Sequence, residues 1–327
     1  MGAISEAGTT VDWPVELPAV RRRGAWVAHA GDVEVRLTNL SKVFWPESGY
    51  TKGDLVAYYF NVALALLPHV ADRPLTLKRM PDGVGGIYFY EKDAPAFTPS
   101  WMPTLDVRAG TDGRVIRFVT VRDVASLLWL ANAGCIELHA HHTRGPVQER
   151  PTYAVFDLDP YPPAAFDDVR RVAALVKVVL DGLGLRSYPK TSGATGMQVF
   201  VPLDGRLEYR VVRAFVGALS RMIHAADPAS TTLEWEVARR AGRVFLDANI
   251  NRAGASIASA YSARARWDAT VSMPFAWDAL DAIDPYEWTI ATAPAHVALH
   301  GDPFAPVAAG PGQSLGAALD ELRIAPD

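Results

Sequence analysis

The chain has 327 residues, half of them hydrophobic and about a fifth charged, enough apolar material for one large domain or two intimate ones. Its net charge of −4 argues against coating nucleic acid by bulk charge, leaves room for local basic grooves, and moves attention to where the charges fall. No apolar run reaches the ~18 residues that span a bilayer, Met1 to Pro14 lacks a secretory pattern, and Cys135 has no partner for an internal disulfide, so a reducing cytoplasm is expected.

Residues 1–30 show no clear period and read as an extended N-terminal arm, with Arg21, Arg22 and Arg23 as a solvated surface. Val33 to Leu37 alternates like a strand, and Asn39 and Lys42 follow before a turn at Gly49. Thr51 and Asp54 have the spacing of a capping box. Leu55, Tyr58, Tyr59, Val62 and Leu66 then repeat at helical spacing up to Pro68, where the helix is expected to stop. Lys52 falls in the first turn, where the helix dipole disfavours a cation unless an anion such as phosphate accompanies it.

Arg73 to Arg79 reads as a short strand ending in the cations Lys78 and Arg79. A Gly turn leads to a second strand over 87–92, where Phe89 and Tyr90 stand beside bases in the manner of a stacking platform. A strand over 114–120 and a helix over 122–133 precede a strand from Cys135 with His139 and His141 on one face. Cys135 with these histidines is a poor zinc set, because no second cysteine pair supports it; one of these histidines facing the carboxylates of Asp157 and Asp159 is the better reading.

Tyr153 to Phe156 is an apolar, β-prone run entering two acids. Alternation along a strand places Asp157 and Asp159 on one face, roughly 6–7 Å apart at Cα, with Ala154, Phe156 and Leu158 turned to a core. Paired carboxylates repel unless a cation sits between them, and an oxygen-only set suits Mg²⁺ or Mn²⁺. Pro160 is expected to end the pairing and turn the chain out. A helix over 166–183 stops at Gly184, a strand covers 185–189, and a Gly-rich turn follows that holds Lys190, Ser192, Thr195 and Gln198. It lacks the ending of a P-loop. After a strand over 199–203 and a helix over 209–224, Arg243 to Asp247 repeats the pattern of an apolar strand closed by an acid. Arg239, Arg240, Arg243, Arg252, Arg264 and Arg266 make a local excess of positive charge for an anionic ligand, with Arg264 and Arg266 alternating toward it. No repeats and no identifiable chemistry occupy 268–327.

In order, the segments LTNLSKVFWPESGYTKGD, RPLTLKRMPDGV, YFYEK, IELH, FDLDP, PKTSGATGMQVFVPL, RVFLDANIN and SAYSARARW resemble one family. It is the primase-polymerase domain attached to bacterial ATP-dependent DNA ligase D, within the archaeo-eukaryotic primase superfamily. The resemblance implies an α+β fold, a mixed-sheet catalytic core with flanking helices over 33–304, an arm over 1–32 outside it, and a tail over 305–327. It implies two divalent ions, Mn²⁺ or Mg²⁺, at Asp157, Asp159 and Asp247, and nucleotide binding by Lys78, Arg79, His139, Ser192, Gln198, Arg264 and Arg266. Asn39, Lys42 and Lys52 match its 5′-phosphate pocket, and Phe89 and Tyr90 its template-stacking aromatics.

The implied activity is template-directed nucleotidyl transfer, with rNTP preferred over dNTP, at DNA gaps or broken ends. Implied partners are DNA, NTPs, an ATP-dependent ligase acting in trans on a stand-alone polymerase, and Ku, at the nucleoid of a bacterial cytoplasm. Two departures stand out: Gln198 where the family usually has histidine, placed by the resemblance beside the triphosphate as an uncharged donor, and Thr195 where it often has lysine. Competing readings are a phosphohydrolase with Asp157 as nucleophile, for which Tyr161 stands where that fold wants threonine, and a non-catalytic DNA-end-binding module.

Overall fold

The computed structural model describes residues 17–22, 25–109 and 113–325, so most of the arm expected over 1–30 lies outside the described residues. The part of it that is described is strand, not arm. β1 (Ala19–Arg22), β2 (Ala25–Ala30) and β3 (Val33–Leu37) form an antiparallel sheet, and Arg22 pairs with Glu34 at 3.1 Å. Ala19, Ala28, Val35 and Leu37 are its buried side chains, too sparse an apolar signal to declare a period.

Two compact units divide the chain. The first comprises 1–140, 261–271 and 286–302; the second comprises 141–260, 272–285 and 303–327. In the first, α1 (Lys52–Asn61) starts from the expected capping box: Thr51 Oγ1 accepts from Asp54 N at 3.2 Å, and Asp54 Oδ2 accepts from Thr51 N at 2.6 Å. The helix breaks at Val62, and α2 (Ala63–Val70) carries Pro68 inside it. Pro68 does not end the helix as expected, because near a C-terminus it removes only one backbone bond. β4 (Leu75–Arg79), β5 (Phe89–Glu91), β6 (Thr104–Ala109), β7 (Arg114–Val119) and β8 (Cys135–His141) belong to a second sheet. In it β4 pairs with β5, β7 and β8, and β6 with β7. α3 (Val124–Asn132) is capped by Asp123, whose carboxylate accepts from Ser126 N at 2.8 Å.

The second unit is built on β9 (Tyr153–Pro160). Beside it lie β10 (Tyr188–Thr191), β11 (Met197–Pro202), β12 (Thr231–Thr232) and β13 (Val244–Asp247), in the order β10-β11-β9-β13-β12. β9 ends at Pro160 as expected, its last paired residue, opposite Val244 of β13. α4 (Phe166–Gly182) and α5 (Tyr209–Ala226) bury Val169, Val172, Val176 and Leu180, and Val212, Phe215, Leu219 and Ile223, at helical spacing. Both pack on β9, and Phe156 meets Phe215 edge-on at 6.5 Å. Ala154, Phe156 and Leu158 therefore face the helices, and alternation turns Asp157 and Asp159 the other way. No helix among the described residues is long and apolar enough to cross a membrane.

Candidate active site

Strand register assembles the acidic site of the second unit. Asp157 sits opposite Gln198 of β11 on one side and opposite Asp247 of β13 on the other, while Asp159 faces Phe245. Asn251 is fully buried and clamps β9: its Oδ1 accepts from Val155 N at 2.9 Å and its Nδ2 donates to Val155 O at 2.7 Å. Burial raises the Asp157 carboxyl well above its usual range, and the charges of Asp159 and Asp247 add to it, against the Gln198 hydrogen bond and the Lys190 charge. Three acids that penalise one another in this way are suited to a hard divalent cation. They are not closed into a cage: among the described residues no group of three His, Cys, Asp or Glu is ready-made for a metal. Gln198 Nε2 donates to Asp157 Oδ1 at 3.0 Å, and Asp247 Oδ1 accepts from Asn249 N at 2.8 Å. The oxygen-only set of Asp157, Asp159 and Asp247 is one that would suit Mg²⁺ or Mn²⁺.

The Gly-rich turn lies against this strand. A Cβ on Gly196 would come within 2.3 Å of Leu158 O and 3.0 Å of Asp159 Oδ1, so only glycine allows the approach. Ser192 Oγ accepts from Ala194 N and Gly196 N, both at 3.1 Å, and thereby holds the turn. Thr195 is exposed. Gln198 is buried inside β11, with its oxygen receiving Lys190 and its nitrogen given to Asp157.

A different cluster, which the spacing did not disclose, organises the first unit. Glu137 is buried, and its carboxylate takes Lys78 Nζ at 2.9 Å, His139 Nε2 at 2.8 Å, Arg264 Nε at 3.2 Å and Ala265 N at 3.0 Å. Burial alone would raise this carboxyl, but the His139 hydrogen bond and the charges of Arg264, His139 and Lys78 hold it well below the usual range. Burial lowers His139 despite Glu137. Tyr88 and Tyr90 stand over Lys78, with ring centroids 5.4 and 5.8 Å from its Nζ, and Tyr90 meets His139 edge-on at 6.0 Å. Phe89 and Tyr90 are both about half exposed.

Arg79 is held by Glu91 at 2.7 and 2.8 Å. Arg266 pairs with Asp268 at 3.4 Å and lies over Tyr286. Of the arginines singled out in the sequence, Arg264 and Arg266 belong to the first unit, and Arg239, Arg240, Arg243 and Arg252 to the second. Cys135 is fully buried, with Sγ on Glu137 O at 3.3 Å.

The proposed 5′-phosphate residues do come together. Lys52 N donates to Lys42 O at 2.8 Å, Lys42 N donates to Asn39 O at 3.0 Å, and Lys52 Nζ lies 3.4 Å from Thr38 Oγ1. Asn39 takes a left-handed φ of 53°. Lys42 reaches Asp82 and Pro81 O, whereas Lys52 forms no ion pair among the described residues. Burial, then the Lys42 charge, lowers Lys52 to about 8.

Likeness to known proteins makes the chain a nucleotidyltransferase of the polymerase type. The model of the LigD primase-polymerase domain family matches residues 51–304. The multifunctional non-homologous end joining protein LigD of Mycolicibacterium smegmatis is 33% identical over 250 residues, which cover 75% of this chain and 32% of that protein. Its counterpart in Pseudomonas aeruginosa is 31% identical over 309 residues, 94% of this chain and 36% of that protein. The solved polymerase domain of Mycobacterium tuberculosis ligase D, in complex with DNA, matches with a TM-score of 0.79 at 30% identity, covering 84% of this chain and 98% of that one. The chain belongs to the LigD primase-polymerase domain family and spans about a third of these two curated relatives.

Proposed function

We infer that this protein is a DNA-repair primase-polymerase that adds nucleotides at short gaps or broken ends, using divalent ions held by Asp157, Asp159 and Asp247. The observation that carries this reading is the register that sets Asp157 opposite Asp247, with Asp159 on the same face, in a chain of this family. Support for the DNA substrate comes from relatives whose names state non-homologous end joining and from a structural relative solved with DNA. Bound ions would activate the primer 3′-hydroxyl and neutralise triphosphate charge.

The protein's own work is then placement. Gln198 orients Asp157, Gly196 lets the turn close on Asp159, and Asn251 fixes β9. In the first unit Lys78, His139 and Arg264, held in place by Glu137, are assigned to the nucleotide, with Arg79 and Arg266 beside them in sequence and Ser192 from the Gly turn. Phe89 and Tyr90 are assigned to the template base. Asn39, Lys42 and Lys52 take the 5′-phosphate, an assignment supported by the uncompensated charge of Lys52. Ribonucleotide preference, and a ligase and Ku as partners, follow from the family reading. The test is primer extension across a one-nucleotide gap bearing a 5′-phosphate, with rNTPs against dNTPs and Mn²⁺ against Mg²⁺. Template-directed addition in the presence of Mn²⁺ is expected; its absence overturns the reading.

A further inference from the structure

Lys190 is fully buried, yet it belongs to no assigned function. The sequence places it in a turn, but the structure makes it the third residue of β10, directly opposite Gln198. Gln198 is opposite Asp157, and Asp157 is opposite Asp247. Lys190, Gln198, Asp157 and Asp247 thus form one row across four adjacent strands, where directly opposed side chains share a face and touch. Lys190 Nζ donates to Gln198 Oε1 and, at 2.5 Å, to Ser272 Oγ, which donates onward to Thr191 O at 2.9 Å. The ammonium also lies 5.6 Å from the centroid of the Phe200 ring.

An amide has one accepting and one donating end of nearly equal size, and its two orientations are opposite in effect on a carboxylate. With nitrogen toward Asp157, Gln198 supplies a hydrogen bond; with oxygen toward it, two lone-pair-bearing atoms face each other. An ammonium has only donors. Lys190 therefore admits only the oxygen of Gln198, and the nitrogen must go to Asp157. With no exposed surface, Lys190 has no route to a substrate.

We propose that Lys190 is a positioning residue for the acidic site: its buried ammonium locks the Gln198 amide so that Asp157 always meets a donor, which fixes one Asp157 oxygen and presents the other to a cation. This rests on the reading of Asp157, Asp159 and Asp247 as metal holders. Groups that act behind a ligand in this way typically cost 10–100-fold in metal affinity when removed.

The experiment is a Mn²⁺ titration followed by electron paramagnetic resonance, on the full chain without nucleotide or DNA. Wild type, Lys190→Met, Gln198→Leu and the double variant are compared, each with its thermal midpoint. Lys190→Met and Gln198→Leu should each weaken Mn²⁺ about tenfold, and the double variant should be no weaker than the weaker single one, since both break the same relay. Wild-type affinity in Lys190→Met, or losses that multiply in the double variant, overturns the proposal while leaving the metal reading standing. A wild type that binds no Mn²⁺ overturns both. If Lys190→Met does not fold, Ser272→Ala loosens the same ammonium at the cost of one hydroxyl. It should weaken Mn²⁺ by about threefold, and not at all in the Gln198→Leu background, in line with the modest worth of one hydrogen bond. Unchanged affinity in Ser272→Ala overturns the proposal.

Discussion

Gln198 gives its Nε2 to Asp157 Oδ1 at 3.0 Å from the strand position directly opposite, while its Oε1 receives Lys190. Both polar ends are thus engaged with the protein, which revises the expectation that this glutamine is a weak stand-in for a phosphate-binding histidine. A neutral imidazole can accept from Lys190 and donate to Asp157, and the ammonium opposes its protonation. Gln198→His should therefore keep KM for an rNTP within about twofold of wild type at both pH 6 and pH 8, on either side of an ordinary histidine's range. A KM that tightens about fivefold at pH 6 alone would restore the phosphate contact.

Lys52 sets a pH window for recognition of a 5′-phosphate. Its amine is lowered to about 8, so it carries its charge below that pH and sheds it above. A bound phosphate favours the charged form and moves the loss somewhat upward. Gapped DNA with a 5′-phosphate should bind about tenfold better than the 5′-hydroxyl form at pH 7, the worth of a charge-assisted bond, with most of that preference gone by about pH 9.5. Lys52→Arg should keep it throughout, because a guanidinium does not titrate there. Fluorescence anisotropy at low salt measures both; a wild-type preference that holds up at high pH would remove Lys52 from the role.

Glu137 is the electrostatic centre of the first unit. Removing it leaves Lys78 and Arg264 facing each other without their counter-ion, so Glu137→Ala should cost about 3–5 kcal/mol of stability near pH 7. The native carboxyl is held below its ordinary range, so its contribution is fully present above the unfolded value of ~4.3 and is lost as pH falls through the low native one. Urea unfolding of wild type and Glu137→Gln should therefore converge in acid. A gap that stays constant down to pH 2 would point to packing instead.

At Gly196 the demand is steric. The Cβ of Gly196→Ala would fall 2.3 Å from Leu158 O, so the turn must retreat from β9 and from Asp159. Overpacking of this kind costs about 1–3 kcal/mol. Extension should fall further than stability does, since Asp159 moves with the turn. Full activity in Gly196→Ala would show that the turn has slack.

Elements with a strong local signature were legible from the chain: the capping box at Thr51, the helices behind β9, and the apolar strands that end in Asp157 and Asp247. What escaped was set by pairing between distant segments. Lys190 reads as a turn residue until β11 is laid beside it, and Glu137 looks like an ordinary strand acid until Arg264 arrives from more than a hundred residues away. Asn251 gives no local hint that it clamps β9.

The central claim is that the acids on β9 and β13 serve cations in nucleotidyl transfer. Its most direct test is Mn²⁺-dependent extension across a one-nucleotide gap by wild type, Asp157→Asn and Asp247→Asn, with thermal midpoints and DNA binding measured alongside. The account predicts template-directed addition by wild type and its loss in both variants, with folding and DNA binding retained. Near-normal extension by either variant would contradict it, as would phosphate release from a small phosphomonoester that disappears in Asp157→Asn.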